Sequence, residues 1–500
     1  MICVSLGRTR HKHMIAEHRH LAENGVQLVE LRLDYIGRAI DLTRLLKDRP
    51  TPVVVTNRRR EDGGRWMGTE AERQMVLRSA IVAGVEYVDL EADIAGDIPR
   101  YGQTKRVVSY HDFDGTPDDL PGLHAEMATM DADVVKIACQ ATTIADTVRM
   151  MEMVRQATLP TIGICMGEIG MMTRILAGRL GSPFTFASYS TDRALAPGQL
   201  NYKVMRDLYR FDEIDEQTEL FGVVADPVAH SHSPLIHNRA FQDAEINARY
   251  LPFRVPADDL NVFIDACPRL GIRGISVTIP HKERALAYCT QAEQAATGIG
   301  AINTMIFDEE ERIGYNTDYR AAMDCINAVY QAGRPADSPP VSHQSRRVLI
   351  LGAGGVARAI AWGMKQRGAE VTISSRTEER AVQLAHEIGT RSLPWEQRHE
   401  VQPQLLVNGT PVGMHPHVDD CPYDPGKLNQ LMVVFDTVYN PESTMLIKHA
   451  RNARSKLITG VDMFVRQAAY QFKLFTGREA PSSRMREAIK EATSPVRLNP

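Results

Sequence analysis

Short runs of apolar, largely β-branched residues recur through the first 200 positions, and each is followed by a stretch with helical spacing. The runs are Ile2–Leu6, Leu28–Tyr35, Pro52–Thr56, Tyr87–Ala92, Arg106–His111, Val134–Ala138, Thr161–Cys165 and Phe184–Ser188. They lie about 25 residues apart, the spacing of successive strand–helix units. Apolar strands that alternate with helices predict a parallel sheet covered on both faces. Eight such units predict a small (β/α)8, or TIM, barrel, whose chemistry gathers at the C-terminal ends of the strands. The notable polar residues fall there: Glu30, Arg32, Arg58, His111, Lys136 and Gln199. Lys136 is read as closing the short strand Asp133–Ala138.

The pattern then changes. Arg206–Leu220 is charged and reads as a connector between domains, and a new strand is expected at Phe221. A second α/β pattern runs to about Tyr330, and Gly333–Arg346, rich in Pro and Ser, reads as a surface loop or linker. A third α/β segment opens at Arg347 and ends near Gly460. The helical stretch Val461–Phe475 is expected to return to the second segment, and beyond Gly477 the composition suits a marginal helix and a loose end. The implied domains are 1–210, 219–335 with 461–478, and 346–460.

Composition narrows the field. A length of 500 residues, 43% hydrophobic and 24% charged, is ordinary for a soluble α/β protein of several domains. A net charge of −4 gives no reason to expect nucleic acid or a membrane surface as partner. No apolar run approaches the roughly 20 residues that span a bilayer, and Met1–Gly7 reads as a first strand, not a leader. Seven dispersed cysteines point to free thiols in a reducing cytoplasm. His11, His13, His18 and His20 lie in a polar helix start without a nearby cysteine or carboxylate ligand set and read as a solvated helix face, not a metal site. Small molecules are the expected partners, with a homo-oligomer left open.

Three segments carry candidate chemistry. Val348–Leu351 leads into Gly352-Ala353-Gly354-Gly355-Val356, a strand, a glycine turn and a helix start. Such a turn lets the backbone approach a pyrophosphate, while the helix N-terminus supplies N–H donors. Ala357 replaces the last glycine of the usual spacing, so a tight turn without ligand is the alternative on this motif alone. The next strand ends without the acid that holds ribose hydroxyls in an NAD site. It offers Ser375, Arg376 and Arg380, which suit the 2′-phosphate of NADP.

Lys282 closes Ser276–Lys282, after Ser231 and Ser233 and before Asn303 and Asp318. A lysine, an amide and an aspartate on strand-end loops fit a proton-transfer cluster; a surface ion pair of Lys282 with Asp318 fits the same spacing. Lys136 suits Schiff-base formation with a ketone, or equally an ion pair at a barrel mouth. His111 ends the preceding strand, about 4.8 Å away in a sheet, so it can share a substrate with Lys136. Arg32, Arg58 and Arg174 can converge on a substrate carboxylate.

Residues 221 to about 478 resemble shikimate dehydrogenase. The matching elements are His230-Ser231-x-Ser233-Pro234, Val277-Thr278-x-Pro280-x-Lys282, Ala301-x-Asn303-Thr304, Asn316-Thr317-Asp318, the glycine turn, Asn408-Gly409-Thr410-Pro411-x-Gly413-Met414, Asp436-x-x-Tyr439-x-Pro441 and Gln467-Ala468-Ala469. The resemblance implies that Lys282 and Asp318 handle the proton while NADPH reduces the C3 carbonyl of 3-dehydroshikimate. It assigns Ser231, Ser233, Thr278, Asn303, Tyr439 and Gln467 to substrate. It assigns Gly352 to Val356, Ser375-Arg376-Thr377, Arg380, Thr437 and Gly460 to NADP. Ser375 stands where the family usually has Asn, and Gly409 where it has Ala.

Residues 1 to about 205 resemble type I 3-dehydroquinate dehydratase. The matches are Glu30-Leu31-Arg32-x-Asp34, Arg58 with Gly63-Gly64, Ser109-Tyr110-His111-Asp112-Phe113, Val135-Lys136-Ile137-Ala138, Thr173-Arg174 and Ala196-Pro197-Gly198-Gln199. The resemblance implies an imine between Lys136 and the C3 ketone of 3-dehydroquinate, with His111 as base and then acid and no metal. Ser5, Glu30, Arg32, Arg58, Arg174 and Gln199 would bind substrate. The acid before Gly-Gly, usually Glu, is Asp62 here with Glu61 beside it, and either is a candidate to orient His111. Leu195 stands where the family has a lid Ser.

The expected fold is therefore α/β: an N-terminal barrel fused to a two-domain dehydrogenase with a Rossmann NADP-binding domain. The expected function is two consecutive steps on one chain, from 3-dehydroquinate to 3-dehydroshikimate to shikimate. The alternatives are a quinate-oxidising second half that uses NAD, and a half that only binds its ligand.

Overall fold

The computed structural model describes residues 1–335 and 337–493; of the segment beyond Gly477 expected to hold a marginal helix and a loose end, 494–500 lie outside the described residues. The chain divides into two compact units: residues 1–218 with 251–270, and 219–250 with 271 onward.

The first unit is built on eight strands: β1 (Ile2–Leu6), β2 (Leu28–Arg32), β3 (Val53–Thr56), β4 (Tyr87–Glu91), β5 (Lys105–Asp112), β6 (Val134–Gln140), β7 (Thr161–Met166) and β8 (Thr185–Ser188). Their order is β7-β6-β5-β4-β3-β2-β1-β8, and the registered neighbours run parallel. This is a nearly closed parallel barrel with helices between successive strands. All eight expected runs are strands. The second is shorter than its apolar run, because the chain turns into a 3-10 helix at Leu33–Tyr35.

Side chains alternate across a strand, and the alternation sorts this barrel into two layers. Cys3, Leu28, Val54, Val107, Val134, Ile162 and Phe184 share one core, the barrel interior. Val88, Val108, Val135, Ile137 and Cys139 share another with Leu77, Ile81, Met150 and Val154, which come from covering helices. Above this apolar floor the next inward positions carry polar groups in some strands, Ser5 in β1, Glu30 in β2 and Lys136 in β6, whereas Ile164 in β7 and Phe186 in β8 stay apolar.

Two expectations for this unit change. Lys136 does not close its strand: it is the third of seven residues in β6, which continues to Gln140. The four histidines are not all solvated. His11 and His18 are buried on the helix His11–Glu23 with Met14 and Leu21, so they lie on its apolar stripe. His11 Nε2 accepts from the Asp41 N–H at 2.9 Å, and His18 Nε2 meets Thr51 Oγ1 at 2.8 Å. The charged connector buries Tyr209, Phe211 and Ile214. Residues 251–270 group with this unit: Ile144 N–H donates to Asp259 at 2.9 Å, and Arg269 pairs with Glu152 at 2.9 Å.

The remaining strands form two sheets. One is mixed, in the order β10-β9-β11-β13-β14-β12, from β9 (Glu219–Ala225), β10 (Ala248–Arg254), β11 (Ile272–Val277), β12 (Gln291–Ala292), β13 (Thr304–Asp308) and β14 (Glu311–Tyr315). Its first strand opens at Glu219, two residues before the expected Phe221. The other is parallel: β15 (Arg347–Leu351), β16 (Glu370–Ser374), β17 (Arg391–Leu393), β18 (Leu405–Asn408), β19 (Val433–Asp436) and β20 (Lys456–Ile458). Its order, β17-β16-β15-β18-β19-β20, is that of a Rossmann fold, with the switch point beside β15. The helix Gly460–Thr476 starts from a Thr459–Asp462 capping box. Its Val461, Val465, Ala468 and Phe472 enter the core of the first sheet with Phe221 and Val223.

Candidate active sites

The barrel interior places its polar groups above the apolar floor. Ser5, Glu30, Arg32, Arg58, Asp62, His111, Lys136, Arg174 and Gln199, all nine barrel residues expected from sequence, line one cavity of about 70 Å³. Glu61 does not; it lines a surface hollow with Arg59, Arg60 and Trp66.

At the centre lies Asp89, an inward residue of β4. It accepts from Lys136 Nζ at 3.0 Å, from Arg58 Nη2 at 2.8 Å and from Ser109 Oγ at 2.6 Å. Arg58 also reaches Glu91 at 2.8 Å, and Glu91 takes Arg73 at 2.7 Å. Buried charges of this kind are tolerable only when paired. Burial alone would raise the Asp89 carboxyl, but the adjacent Arg58 and Lys136 cations hold it well below the carboxylate range. Lys136 Nζ also stands 4.4 Å over the Phe186 ring. Arg32 is held by Asp34 through two bonds of 2.9 and 2.8 Å. Gln199 donates to Ser5 at 3.3 Å and accepts from the Leu195 N–H at 2.8 Å.

Two groups differ from this paired background. Arg174 is 2% exposed, and no carboxylate among the described residues pairs with it. Its Nε has no partner, and Nη2 reaches only the Pro197 carbonyl, at 3.4 Å. Burial pulls its guanidinium down to about 10. His111 Nδ1 is likewise buried and unpartnered. Burial first, then the Arg58 and Lys136 cations, hold the imidazole well below its ordinary value, so it is neutral.

The second unit has a larger cleft, about 380 Å³. Ser231, Ser233, Thr278, Lys282, Asn303, Asp318, Tyr439 and Gln467 line it, as do Val356, Thr437 and Gly460 from the cofactor set. Lys282 Nζ is 2.5 Å from Asp318 Oδ2. Asp318 lies in the first turn of the helix Thr317–Gln331, whose Asn316 cap accepts from the Tyr319 N–H. Asn303 is braced by Thr317, donating to its Oγ1 at 2.9 Å and accepting from its N–H at 2.8 Å. Tyr439 stacks on Phe464, with ring centroids 4.3 Å apart. Thr437 donates to the Asn408 carbonyl at 2.8 Å.

The glycine turn follows β15 at the switch point and meets this cleft. A Cβ on Gly355 would stand 2.7 Å from Lys282 Cδ, whereas one on Gly354 would meet nothing within 4 Å. The helix Gly355–Gln366 begins here, so its free N–H groups point past an open glycine. Ser375, Arg376, Thr377 and Arg380 follow β16 outside the cleft, and Arg376 and Arg380 are exposed. Donors at the turn and exposed guanidinium groups one strand away fit a dinucleotide carrying a 2′-phosphate.

Residues to which the sequence expectation gave no role include Asp89 and Glu91 in the barrel, and Ser276, Gln471 and Met414 in the cleft. Tyr250 supports Ser276, donating to its Oγ at 2.6 Å. Asp89 and Glu91 have a signal in the chain: two acids at alternating positions inside a strand expected to be buried on both faces.

Comparison with known proteins follows the same division. The model for type I 3-dehydroquinase matches residues 2–216. The shikimate dehydrogenase substrate binding domain matches 223–305, shikimate / quinate 5-dehydrogenase matches 336–404, and the shikimate 5′-dehydrogenase C-terminal domain matches 460–490. A protein of Methanothermobacter thermautotrophicus, shikimate dehydrogenase (NADP(+)), is 37% identical over 288 residues, 55% of this chain and 98% of that protein. A solved shikimate dehydrogenase in complex with NADP+ is 34% identical with a TM-score of 0.51, over 56% of this chain and 98% of that one. An Arabidopsis thaliana protein, the chloroplastic bifunctional 3-dehydroquinate dehydratase/shikimate dehydrogenase, is 37% identical over 500 residues, 96% of this chain and 83% of that protein. Since that likeness runs through both halves in order, the chain belongs to the family of bifunctional 3-dehydroquinate dehydratase/shikimate dehydrogenases.

Proposed function

We propose that the chain converts 3-dehydroquinate to 3-dehydroshikimate in the barrel and reduces that product to shikimate in the cleft. The dehydration is assigned to residues 1–210, binding of the second substrate to 219–335 with 461–478, and NADP to 346–460. The supporting observation is Arg174, a buried guanidinium that faces the Lys136 cavity and lacks the carboxylate that Arg32 and Arg58 have. A carboxylated ketone supplies the missing anion and places its carbonyl near the amine.

Lys136 attacks the C3 carbonyl, and loss of water leaves an iminium that acidifies the C2 proton. His111, neutral and able to accept, takes that proton and then delivers it to the departing C1 hydroxyl, so a second water leaves. Hydrolysis of the imine returns the amine and releases the enone. Asp89 remains the counter-ion of the nitrogen throughout.

In the cleft, Ser231, Ser233, Thr278, Asn303, Tyr439 and Gln467 hold the enone, and the Lys282–Asp318 pair supplies the proton at the C3 oxygen. NADPH bound at the glycine turn supplies the hydride. Arg376 and Arg380 select its 2′-phosphate, which favours this reading over an NAD-dependent quinate dehydrogenase.

The test is borohydride with 3-dehydroquinate. A covalent adduct is expected on the peptide containing Lys136, and none in Lys136→Ala. An adduct that persists in the variant, or never forms in the parent, overturns the imine assignment. The same protein given 3-dehydroquinate and NADPH should make shikimate.

A further inference from the structure

An acid ahead of Gly63-Gly64, Asp62 or Glu61, is expected to orient His111, yet the Nδ1 of that ring is buried without a partner. Asp62 stands at the right position, and its carboxylate is taken by Arg59 Nε. The remainder of the same guanidinium grips Asp93, Nη1 to Oδ2 at 2.7 Å and Nη2 to Oδ1 at 3.1 Å. The backbone leaves little slack: Gly63 N–H donates to the Arg60 carbonyl at 3.0 Å, Gly64 N–H to Arg59 at 2.8 Å and Trp66 N–H to Arg58 at 3.2 Å. Gly63 has φ +74° and lies under the Phe113 ring, so a side chain there is excluded on two counts. Asp62 therefore reaches its partner only by rotating a short side chain, and Arg59 is where that rotation ends.

We infer that Arg59 withholds the Asp62 carboxylate from His111, so the base of the dehydration works here without an acid on Nδ1 and Arg59 is a positioning residue for the proton transfer. The inference rests on the dehydration reading. The charged groups that face the imidazole are Arg32 from β2, Arg58 after β3, Asp89 from β4 and Lys136 from β6. Burial first, then these cations against the single Asp89 carboxylate, hold the ring below its ordinary value. A carboxylate on Nδ1 would stabilise the imidazolium and leave less free base at low pH. Keeping Asp62 away extends the working range toward acid.

The experiment is the pH profile of kcat/KM for dehydration, followed by the enone absorbance, in four full-length proteins. Arg59→Gln frees Asp62 to turn to His111, and the acid limb should rise by about 1 pH unit or more, the usual effect of an opposite charge within hydrogen-bond reach. Arg59→Gln with Asp62→Asn should bring the limb back to the parent value. Asp62→Asn alone should leave the limb where it is. An unmoved limb in Arg59→Gln overturns the inference. So does a limb lowered by Asp62→Asn alone, which would mean that Asp62 already serves His111. NMR titration of the His111 ring in the same proteins reads the same shift directly where turnover is too slow to follow. Failure of the parent to form any enone would strike the dehydration reading instead, with the ring titration still deciding the role of Arg59.

Discussion

In the barrel, Lys136 lies in the middle of a strand, 6% exposed, between Asp89 and the Phe186 ring. In the cleft, Lys282 follows a strand on a turn, and its partner Asp318 comes from the start of a helix. The barrel amine belongs to a continuous net of buried charge, Lys136–Asp89–Arg58–Glu91–Arg73. The cleft amine has one acid, surrounded by hydroxyls and amides. The difference fits the proposed chemistry. In the barrel an iminium must be held rigid and charge-balanced for the life of a covalent intermediate, and a nearly closed barrel with strand-mounted groups suits that. A proton passed once to a developing alkoxide needs a near neighbour at the mouth of a cleft that also admits a cofactor.

Removing one amine at a time puts the contrast between the two sites to its hardest test. Lys136→Ala should lower dehydration by about 10^4-fold or more, as loss of a covalent nucleophile does, while 3-dehydroshikimate reduction stays near normal. Joint loss would contradict two separate sites. Lys282→Ala should lower NADPH-dependent turnover by roughly 10^2- to 10^4-fold, the span of general acid–base effects, and leave dehydration intact. An equal fall in both steady-state assays would deny it.

Smaller effects test the anion pockets. Arg174→Gln should raise KM for 3-dehydroquinate by roughly 10- to 100-fold, from the loss of about 1.5–3 kcal/mol of hydrogen bonding to a charge, with borohydride trapping retained at saturating ketone. A change confined to kcat would assign Arg174 elsewhere. Arg376→Ala should raise KM for NADP by about 10-fold and change KM for NAD little, since an exposed phosphate contact contributes about 1.4 kcal/mol. Equal effects on both cofactors would reject the phosphate contact.

Individual residues show why part of the molecule is legible in the chain and part is not. Lys136, His111 and Arg174 carry motifs, and the barrel brings them to one cavity because alternate positions of parallel strands face one interior. Asp89 and Glu91 stand out locally as acids inside an apolar strand, but what Asp89 does is not legible there; its meaning lies in Arg58 and Lys136, which are 31 positions before it and 47 after it. The apolar run around Lys136 looks short enough to end there, but the ladder with β5 and β7 extends pairing through Cys139. Residue type alone makes His11 and His18 look solvated, although their spacing with Met14 and Leu21 already marks one helical face.

The order of elements, the eight-strand period, the Rossmann turn and the two lysines with their families are all written in the chain, because periodicity and motif are local properties. Who pairs with whom is not. Among the described residues, folding gives Asp89 to Lys136, leaves Arg174 without an acid and turns Asp62 to Arg59, three positions before it, instead of His111. Those choices depend on reach and desolvation across the fold, which no local pattern encodes.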